Sequence, residues 1–246
     1  AGASRHSSAV AGAPGAFVYV HDAATGALEW QSPQLIGSWL KLSLLRVANV
    51  DADAAQEIIV AHLNGNLWII DAGTQTVQLA TSGLAITALE TPDLDGDRRS
   101  EVLIGTSSGH LQVLDVATGA ISQTLFTTAG QINGLAVDDV TLDGVLDYML
   151  ANQERLRIIN GASGAEEWSS GMLGTNVGAQ DGLLFTDVDG DHHGEIVINT
   201  GLTGFMVFDV TAGEALAAYD ATLRAPRCAS PAVSCDSGML LLGRGN

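Results

Sequence analysis

Residues 93–119 read "DLDGDRRSEVLIGTSSGHLQVLDVATG" and contain the pattern that repeats along the chain. Its first nine residues carry acids at positions one, three, five and nine. Four acids that close together repel one another in a folded chain unless a cation lies among them. The segment "EVLIG" that follows is typical of a β-strand. The sequence therefore predicts an acidic loop that leads directly into a strand.

The second half of this stretch repeats along the chain. Each copy is an alternating apolar run that ends at Asp or Asn, followed by a turn that usually reads Asp-x-x-Thr-Gly. The Gly of that turn supplies the positive φ that a hairpin bulge requires. The five copies end at Asp22, Asp71, Asp115, Asn160 and Asp209, spaced by 49, 44, 45 and 49 residues.

The acidic half repeats as well, in four segments that align without gaps: residues 49–60, 93–104, 139–150 and 187–198. The last acid of each loop precedes the next turn by 13 or 14 residues, and a spacing that constant indicates a rigid hairpin. Each unit reads as strand, acidic loop, strand, short turn, strand, Asp/Asn turn, strand. Four strands in about 45 residues is the size of a propeller blade.

The two ends of the chain predict how the blades close. Residues 17–30 read as the second half of a unit, and residues 230–243 read as the first half. Their pairing completes a fifth blade and removes exposed edge strands. We therefore expect an all-β fold, a β-propeller of four-stranded blades, with five blades closed by pairing of the N- and C-terminal strands. A longer propeller cut at these points is the alternative. The domain spans residues 17–246, and residues 1–16 form a linker or flexible N-terminal tail.

Composition narrows the class of partner. Among 246 residues, 28 acids face 10 bases, and the formal charge is −18. This balance argues against nucleic acid and against an anionic membrane surface. No apolar run approaches the ~20 residues that a membrane span needs. We expect an exported protein, extracellular, at the cell surface or periplasmic, with a monomer favoured.

Cys228 and Cys235 lie close together in the sequence. In an exported protein such a pair favours a local disulfide, with a reduced pair as the alternative.

The acids themselves favour calcium. The carboxylates of residues 93–101, with the carbonyl of Arg99 facing inward, supply five or more oxygens, the coordination that Ca²⁺ prefers. The loop starts like an EF-hand, but its twelfth position is Ile104 and a strand follows instead of a helix. A solvated charged turn is the alternative for any single loop. Four copies in phase, each just before a strand, favour a cation.

These loops resemble FG-GAP/VCBS repeats, the calcium-loop propeller repeats also found in integrin α-subunit heads. The resemblance covers nearly the whole chain, in four loops and five hairpins. It implies that positions one, three, five and nine bind Ca²⁺ together with the carbonyl of position seven, for up to four ions. We name residues 49–57, 93–101, 139–147 and 187–195 loops one to four. The implied ligands are Asn49, Asp51, Asp53 and Glu57 in loop one, Asp93, Asp95, Asp97, Arg99 and Glu101 in loop two, Asp139, Thr141, Asp143, Val145 and Asp147 in loop three, and Asp187, Asp189, Asp191, His193 and Glu195 in loop four.

Loops one and three depart from the family pattern. Loop one has Ala52 and Ala54 where the family prefers Gly. Loop three has Thr141 at position three and Leu142 in place of the first Gly. Loops two and four match best, and the fifth unit has no acidic loop.

The expected function is a protein- or glycan-binding or adhesion module within a larger exported protein. One alternative is a carbohydrate-active enzyme, with Glu90, Asp138 and Asp181 near the starts of innermost strands as candidate carboxylates. Another is a purely structural spacer. We assign no catalytic residue. Trp30 and Trp168 follow their turns as tryptophans do in quinoprotein propellers, but no vicinal cysteine pair accompanies them, and inter-blade packing is the preferred role.

Overall fold

The computed structural model describes residues 2–3, 15–36, 44–63, 65–152, 155–173, 177–178, 182–188, 193–199, 205–209, 217–219, 235–236 and 239–240. Within these ranges every regular element is a β-strand. None of these residues forms a helix with the length and apolar character needed to cross a membrane. The all-β prediction is confirmed for this part of the chain.

Four antiparallel sheets of four strands make up most of the fold. The strands are β1 (Gly2–Ala3), β2 (Tyr19–His21), β3 (Leu28–Gln31), β4 (Leu44–Ala48), β5 (Glu57–His62), β6 (Asn66–Asp71), β7 (Thr76–Thr81), β8 (Ile86–Glu90), β9 (Val102–Thr106), β10 (His110–Leu114), β11 (Ile121–Thr127), β12 (Ile132–Asp138), β13 (Asp147–Asn152), β14 (Arg155–Asn160), β15 (Glu166–Ser169), β16 (Leu183–Thr186), β17 (Glu195–Asn199), β18 (Phe205–Asp209), β19 (Ala217–Tyr219), β20 (Cys235–Asp236) and β21 (Met239–Leu240). Sheet I is β4–β7, sheet II β8–β11, sheet III β12–β15 and sheet IV β16–β19, each in sequence order. The predicted four-stranded unit is therefore confirmed four times.

The second strand of a sheet is covered on both faces. Every residue of β5 is buried, because its alternate side chains enter different apolar clusters. Ile59 and Ala61 pack with sheet II, whereas Ile58 and Val60 pack with residues 16–36. β13 is likewise buried at every position. This explains why these strands read as continuous Val/Ile/Leu runs.

Each apolar cluster lies between two consecutive sheets. The cluster between sheets II and III joins Leu103 and Leu111 to Ile132 and Leu150. The approach is close, since a Cβ added at Gly105 would lie 2.8 Å from the Ile132 side chain. The first strands β4, β8, β12 and β16 contact one another in that order. Consecutive sheets are thus stacked face to face around their first strands, a β-propeller-like arrangement.

The chain ends form two small sheets. β1 pairs with β2, and β2 with β3, while β20 pairs with β21. Among the described strands no ladder joins the two ends, so five-blade closure stays a prediction. Cys228 lies outside the described residues, and its disulfide with Cys235 also stays a prediction.

The Asp/Asn turns are held by their own side chains. Asp115 Oδ1 accepts hydrogen bonds from the backbone N–H groups of Ala117 and Thr118, at 3.0 and 2.8 Å. The same pair of bonds forms at Asp22, Asp71 and Asn160. The fifth residue of each of these turns is left-handed: Gly26 (φ 72°), Gln75 (φ 61°), Gly119 (φ 72°) and Gly164 (φ 68°). Gln75 is the exception to the Gly pattern, and its side chain strains that turn.

Replacing Gln75 by Gly tests this strain. We expect Gln75→Gly to raise the free energy of unfolding by about 1 kcal/mol, because Gly adopts the left-handed conformation without steric cost. Gly26→Ala is the matched control, because the added Cβ would lie in open space. Any loss of stability in this variant would therefore come from the left-handed backbone alone. Urea unfolding of both variants measures the effect. A Gln75→Gly variant less stable than the wild-type protein would contradict the strain at Gln75.

The turn carboxylates also predict an acid response. Hydrogen bonds from the Thr118 backbone and hydroxyl lower the pKa of Asp115. A lowered folded-state pKa contributes stability above the unfolded pKa, near 4, which is lost as the pH falls through the folded value. Asp115→Asn keeps the Oδ1 acceptor, as Asn160 does naturally, and should lose less stability below about pH 4.

Urea midpoints at pH 7, 5, 4 and 3 measure this response. The reverse exchange, Asn160→Asp, should make the protein more acid-sensitive. If the wild type and both variants lose the same stability on acidification, these turns do not contribute to the acid response.

Candidate functional site

The acidic loops lie at one end of their sheets. Each joins the first strand of a sheet to the second, from β4 to β5, β8 to β9, β12 to β13 and β16 to β17. Strand pairing sets the ninth loop residue against the Asp/Asn turn, as in Glu57 opposite Asp71 and Asp147 opposite Asn160. The acidic loop and the Asp/Asn turn of a sheet are therefore neighbours at this end, which we name the loop end.

The ninth-position carboxylate closes each loop from inside. Glu57, Glu101 and Glu195 each accept a hydrogen bond through Oε2 from the backbone N–H of the second loop residue, at 2.8, 2.7 and 2.6 Å. Asp147 has a shorter side chain, so its Oδ2 instead accepts from the N–H and hydroxyl of Thr141, both at 3.3 Å. One side chain at the start of the second strand thus fixes the loop fold.

The other oxygen of this carboxylate provides the test for a cation. Glu57 and Asp147 are fully buried, and Glu57 Oε1 and Asp147 Oδ1 receive no hydrogen bond. Burial raises the pKa of Glu57 and of Glu101, and raises that of Asp147 to about 6. A buried carboxylate oxygen without a donor is costly unless a positive charge compensates it. The unsatisfied oxygens of loops one and three therefore fit a divalent cation.

Loops one and two also gather carboxylates. Asp51, Asp53 and Glu57 each offer an oxygen within 4.8 Å of the others, and Asp93, Asp95 and Glu101 do the same. In loop one, Asn49 Nδ2 donates to the Asp53 carbonyl at 2.8 Å.

The acid at position five of loop two, Asp97, has a different partner. Its carboxylate forms an ion pair with the Arg99 guanidinium, and the Arg99 side chain and backbone N–H lower the pKa of Asp97. The structure therefore brings together three of the four predicted carboxylates of loop two.

By backbone conformation loop three resembles loop two, although its sequence departs from that of loop two. At positions four and six, loop two has Gly96 and Arg98 left-handed, at φ 78° and 72°, and loop three has Leu142 and Gly144, at 57° and 86°. The alanines of loop one are not left-handed. Leu142 therefore preserves the loop-two backbone in spite of its side chain. Of the loop-four ligands, Asp189 and Asp191 lie outside the described residues, while Glu195 takes the same position as Glu57.

The carboxylates considered for catalysis have other surroundings. Glu90 is held by the guanidinium of Arg46, with Nε to Oε2 at 3.0 Å and Nη2 to Oε1 at 2.5 Å. This pair links β4 to β8. Asp138 is exposed and accepts the backbone N–H of Asp139 at 2.9 Å. Asp181 lies outside the described residues.

The turn tryptophans pack between sheets, as predicted. Trp168 meets Phe208 of sheet IV edge to face, with ring centroids 6.1 Å apart. Trp30 packs against the cluster between residues 16–36 and sheet I.

Sequence reasoning missed a bulge in the fourth strand. In β7, Leu79 pairs with Ile69 and Val77 with Ile70, which leaves Gln78 as the extra residue. Gln78 Nε2 donates to Asp51 Oδ2 at 3.0 Å, so the bulge side chain reaches position three of the loop. The same register shift leaves Ser122 extra in β11 and Glu167 extra in β15. A bulge is defined by the pairing of two strands, which a sequence does not show directly. The only sign of it in the sequence is one extra residue between the Asp/Asn turn and the fourth strand.

Comparisons with known proteins support the fold alone. No family model and no curated protein matches the chain. A crystal structure of BBS1N in complex with ARL6DN, soaked with lead, aligns with a TM-score of 0.56 and 12% identity, over 85% of this chain and 63% of that chain. Its mercury-soaked counterpart gives 0.56 and 12%, over 82% and 60%. The computationally designed Ika8 protein gives 0.55 and 18%, over 85% and 57%.

The chain thus spans less than two thirds of the length of these structures. At such identities the likeness defines a β-propeller-like all-β fold and says nothing of ligand or activity.

The Arg46–Glu90 pair yields a prediction for the inner strands. Both side chains are about one-fifth exposed. A double-mutant cycle of Arg46→Met and Glu90→Gln should give a coupling energy of about 1–2 kcal/mol, between the values of exposed and buried pairs. Thermal unfolding of the four proteins measures it. A coupling near zero would mean that the pair does not join sheets I and II.

Proposed function

We propose that the chain is a calcium-stabilised β-propeller domain of an exported protein, serving as a protein- or glycan-binding or adhesion module. The observation that carries this proposal is the ninth-position carboxylate. It is bonded to its own loop through one oxygen, and at Glu57 and Asp147 it is fully buried and has no donor at the other. A repeated arrangement with this cost is accounted for by a repeated cation.

The donor set supports calcium over other metals. Loop one would hold the ion with Asp51, Asp53 and Glu57, and loop two with Asp93, Asp95 and Glu101. These are carboxylate oxygens, which suit a hard cation, whereas zinc would favour His and Cys. Bound Ca²⁺ would supply the positive charge that lets the buried carboxylates stay ionised.

The proposed ions would be structural. The Ser100 N–H donates to the Asn49 carbonyl at 2.7 Å, so loop two is bonded to loop one. Glu101 also raises the pKa of Tyr148, which burial has already raised, so the charge of loop two is felt in sheet III. An ion that fixes one of these two loops would therefore also support the other through the Ser100–Asn49 hydrogen bond. The result would be a rigid loop end suited to binding.

The same proposal includes ring closure, with residues 17–30 and 230–243 forming a fifth blade. The ligand would be a protein or a glycan held at the loop end or on the central axis. One structural neighbour, BBS1N, was crystallised with a protein partner, ARL6DN, which is compatible with a protein ligand here. The alternative of a carbohydrate-active enzyme gains no support from Glu90, because Arg46 already occupies both of its oxygens.

Calcium counting with one loop variant tests the proposal. Native mass spectrometry should find two to four Ca²⁺ per chain, and chelation should lower the melting temperature. Glu57→Gln should remove one ion and with it part of the calcium-dependent stabilisation. In chelator the same variant should be no less stable than wild type, because a neutral amide is cheaper to bury than a carboxylate.

Asp115→Asn is the matched control, since it removes one charge outside the acidic loops and should leave the ion count unchanged. Absence of bound calcium from the wild-type protein would overturn the cation proposal. For the ligand, a glycan and protein binding screen with and without calcium should give binding without turnover, and release of a cleaved sugar would instead favour the enzyme.

A further inference from the structure

Loop one is fastened differently from loop two at its first position. In loop two, the Asp93 carboxylate accepts the backbone N–H groups of Gly96 and Arg98, at 2.8 and 2.9 Å. In loop one the same position is Asn49, whose Nδ2 instead donates to the Asp53 carbonyl at 2.8 Å. The first residue of loop one thus holds its loop through one hydrogen bond in place of two. A contact from outside the loop therefore matters more here.

Two side-chain oxygens of loop one need a positive partner. Asn49 Oδ1 and Glu57 Oε1 are buried and accept no hydrogen bond from the described residues. Glu57 is 0% exposed, and its carboxylate lies within 4.8 Å of an oxygen from each of Asp51 and Asp53. A buried carboxylate oxygen without a donor is costly unless a positive charge compensates it. Loop one therefore combines gathered acids with a buried group that requires a cation.

Gln78 reaches these acids from the fourth strand of sheet I. It is the extra residue of the β7 bulge, and a bulge re-aims a side chain relative to the regular pleat. Its Nε2 donates to Asp51 Oδ2 at 3.0 Å, while the Asp53 N–H donates to Asp51 Oδ1 at 2.8 Å. One donor on each oxygen fixes both the place and the rotation of the Asp51 carboxylate.

We infer that Gln78 is a positioning residue for the cation of loop one. Its amide keeps the Asp51 carboxylate close to those of Asp53 and Glu57, and it is not itself a ligand. This inference rests on the proposed calcium binding and adds a residue from outside the nine-residue loop. In sheet II the equivalent bulge residue is Ser122, whose hydroxyl donates to the Val113 carbonyl at 3.1 Å, within its own sheet.

The charges of loop one explain why a neutral donor suits this role. In the calcium-free protein the three carboxylates repel one another, and Asp51, which is only partly buried, gains by turning toward water. The Gln78 amide opposes that rotation through a hydrogen bond to an ionised group, which is stronger than a neutral one. Unlike a Lys or Arg side chain, it leaves the negative charge of Asp51 available to the cation. The binding arrangement therefore exists before the ion arrives.

Calcium titration of the full chain tests the inference. Gln78→Met keeps the length of the side chain and removes the donor. Isothermal titration calorimetry with calcium chloride, paired with native mass spectrometry, should show one site weakened by about tenfold and the others unchanged, as for other residues that orient metal ligands. Gln112→Met is the matched control, because the Gln112 amide donates to the Thr124 hydroxyl within sheet II at 3.2 Å, and it should leave every site unchanged.

Melting in chelator separates positioning from a structural role. Gln78 is exposed, so Gln78→Met should melt in chelator at the wild-type temperature while its calcium affinity falls. A lower melting temperature in chelator, or wild-type affinity at every site, would overturn the positioning role.

The variant Glu57→Gln separates this inference from the proposed function. If it removes one ion while Gln78→Met leaves all affinities at wild-type values, the inference is overturned and calcium binding by loop one stands. If Glu57→Gln leaves the ion count unchanged while other loops bind, loop one is not a site and the inference is also overturned. If the wild-type chain binds no calcium, the proposed function itself fails.

Discussion

The two-sided burial of the second strand in each sheet is the constraint on which the rest of the structure depends. β5 and β13 have no solvent-facing side, so each needs a neighbouring sheet on either face. That requirement places the apolar clusters between sheets and brings the first strands into contact. It also explains why a carboxylate at the first residue of such a strand, as at Glu57, is buried as soon as the chain leaves the loop.

This buried carboxylate joins folding to the proposed function. Because Glu57 Oε2 is bonded to the Val50 N–H, the loop takes its shape from the protein itself. The oxygen on the other side is left to be satisfied by something that the chain does not provide. The occupant that we propose is calcium, and its contribution would fall on the contacts between neighbouring sheets. The loop end would then be as rigid as the sheets that hold it.

The repeated strands and turns could be predicted from the sequence, whereas the features that depend on strand pairing could not. Alternating apolar runs and Asp/Asn turns were enough to predict four strands per unit, since hairpin order follows from local periodicity. The left-handed Gln75 and the bulge at Glu167 were not predictable in this way, because they depend on register with the preceding strand. Loop three was ranked below loop two from its residues, but Leu142 keeps the loop-two backbone. Closure between residues 17–30 and 230–243 depends on contacts far apart in sequence and remains a prediction.

The sheet-by-sheet packing has a consequence for how such a chain changes over generations. Each apolar cluster involves only a sheet and the one next to it, so a whole unit of about 45 residues meets its neighbours through interfaces of one kind. Duplication or loss of a unit would create no new type of interface. Within a unit, by contrast, a single residue such as the one at the fourth-strand bulge can vary without disturbing the stack. The array can therefore lengthen in whole steps while each loop diversifies separately.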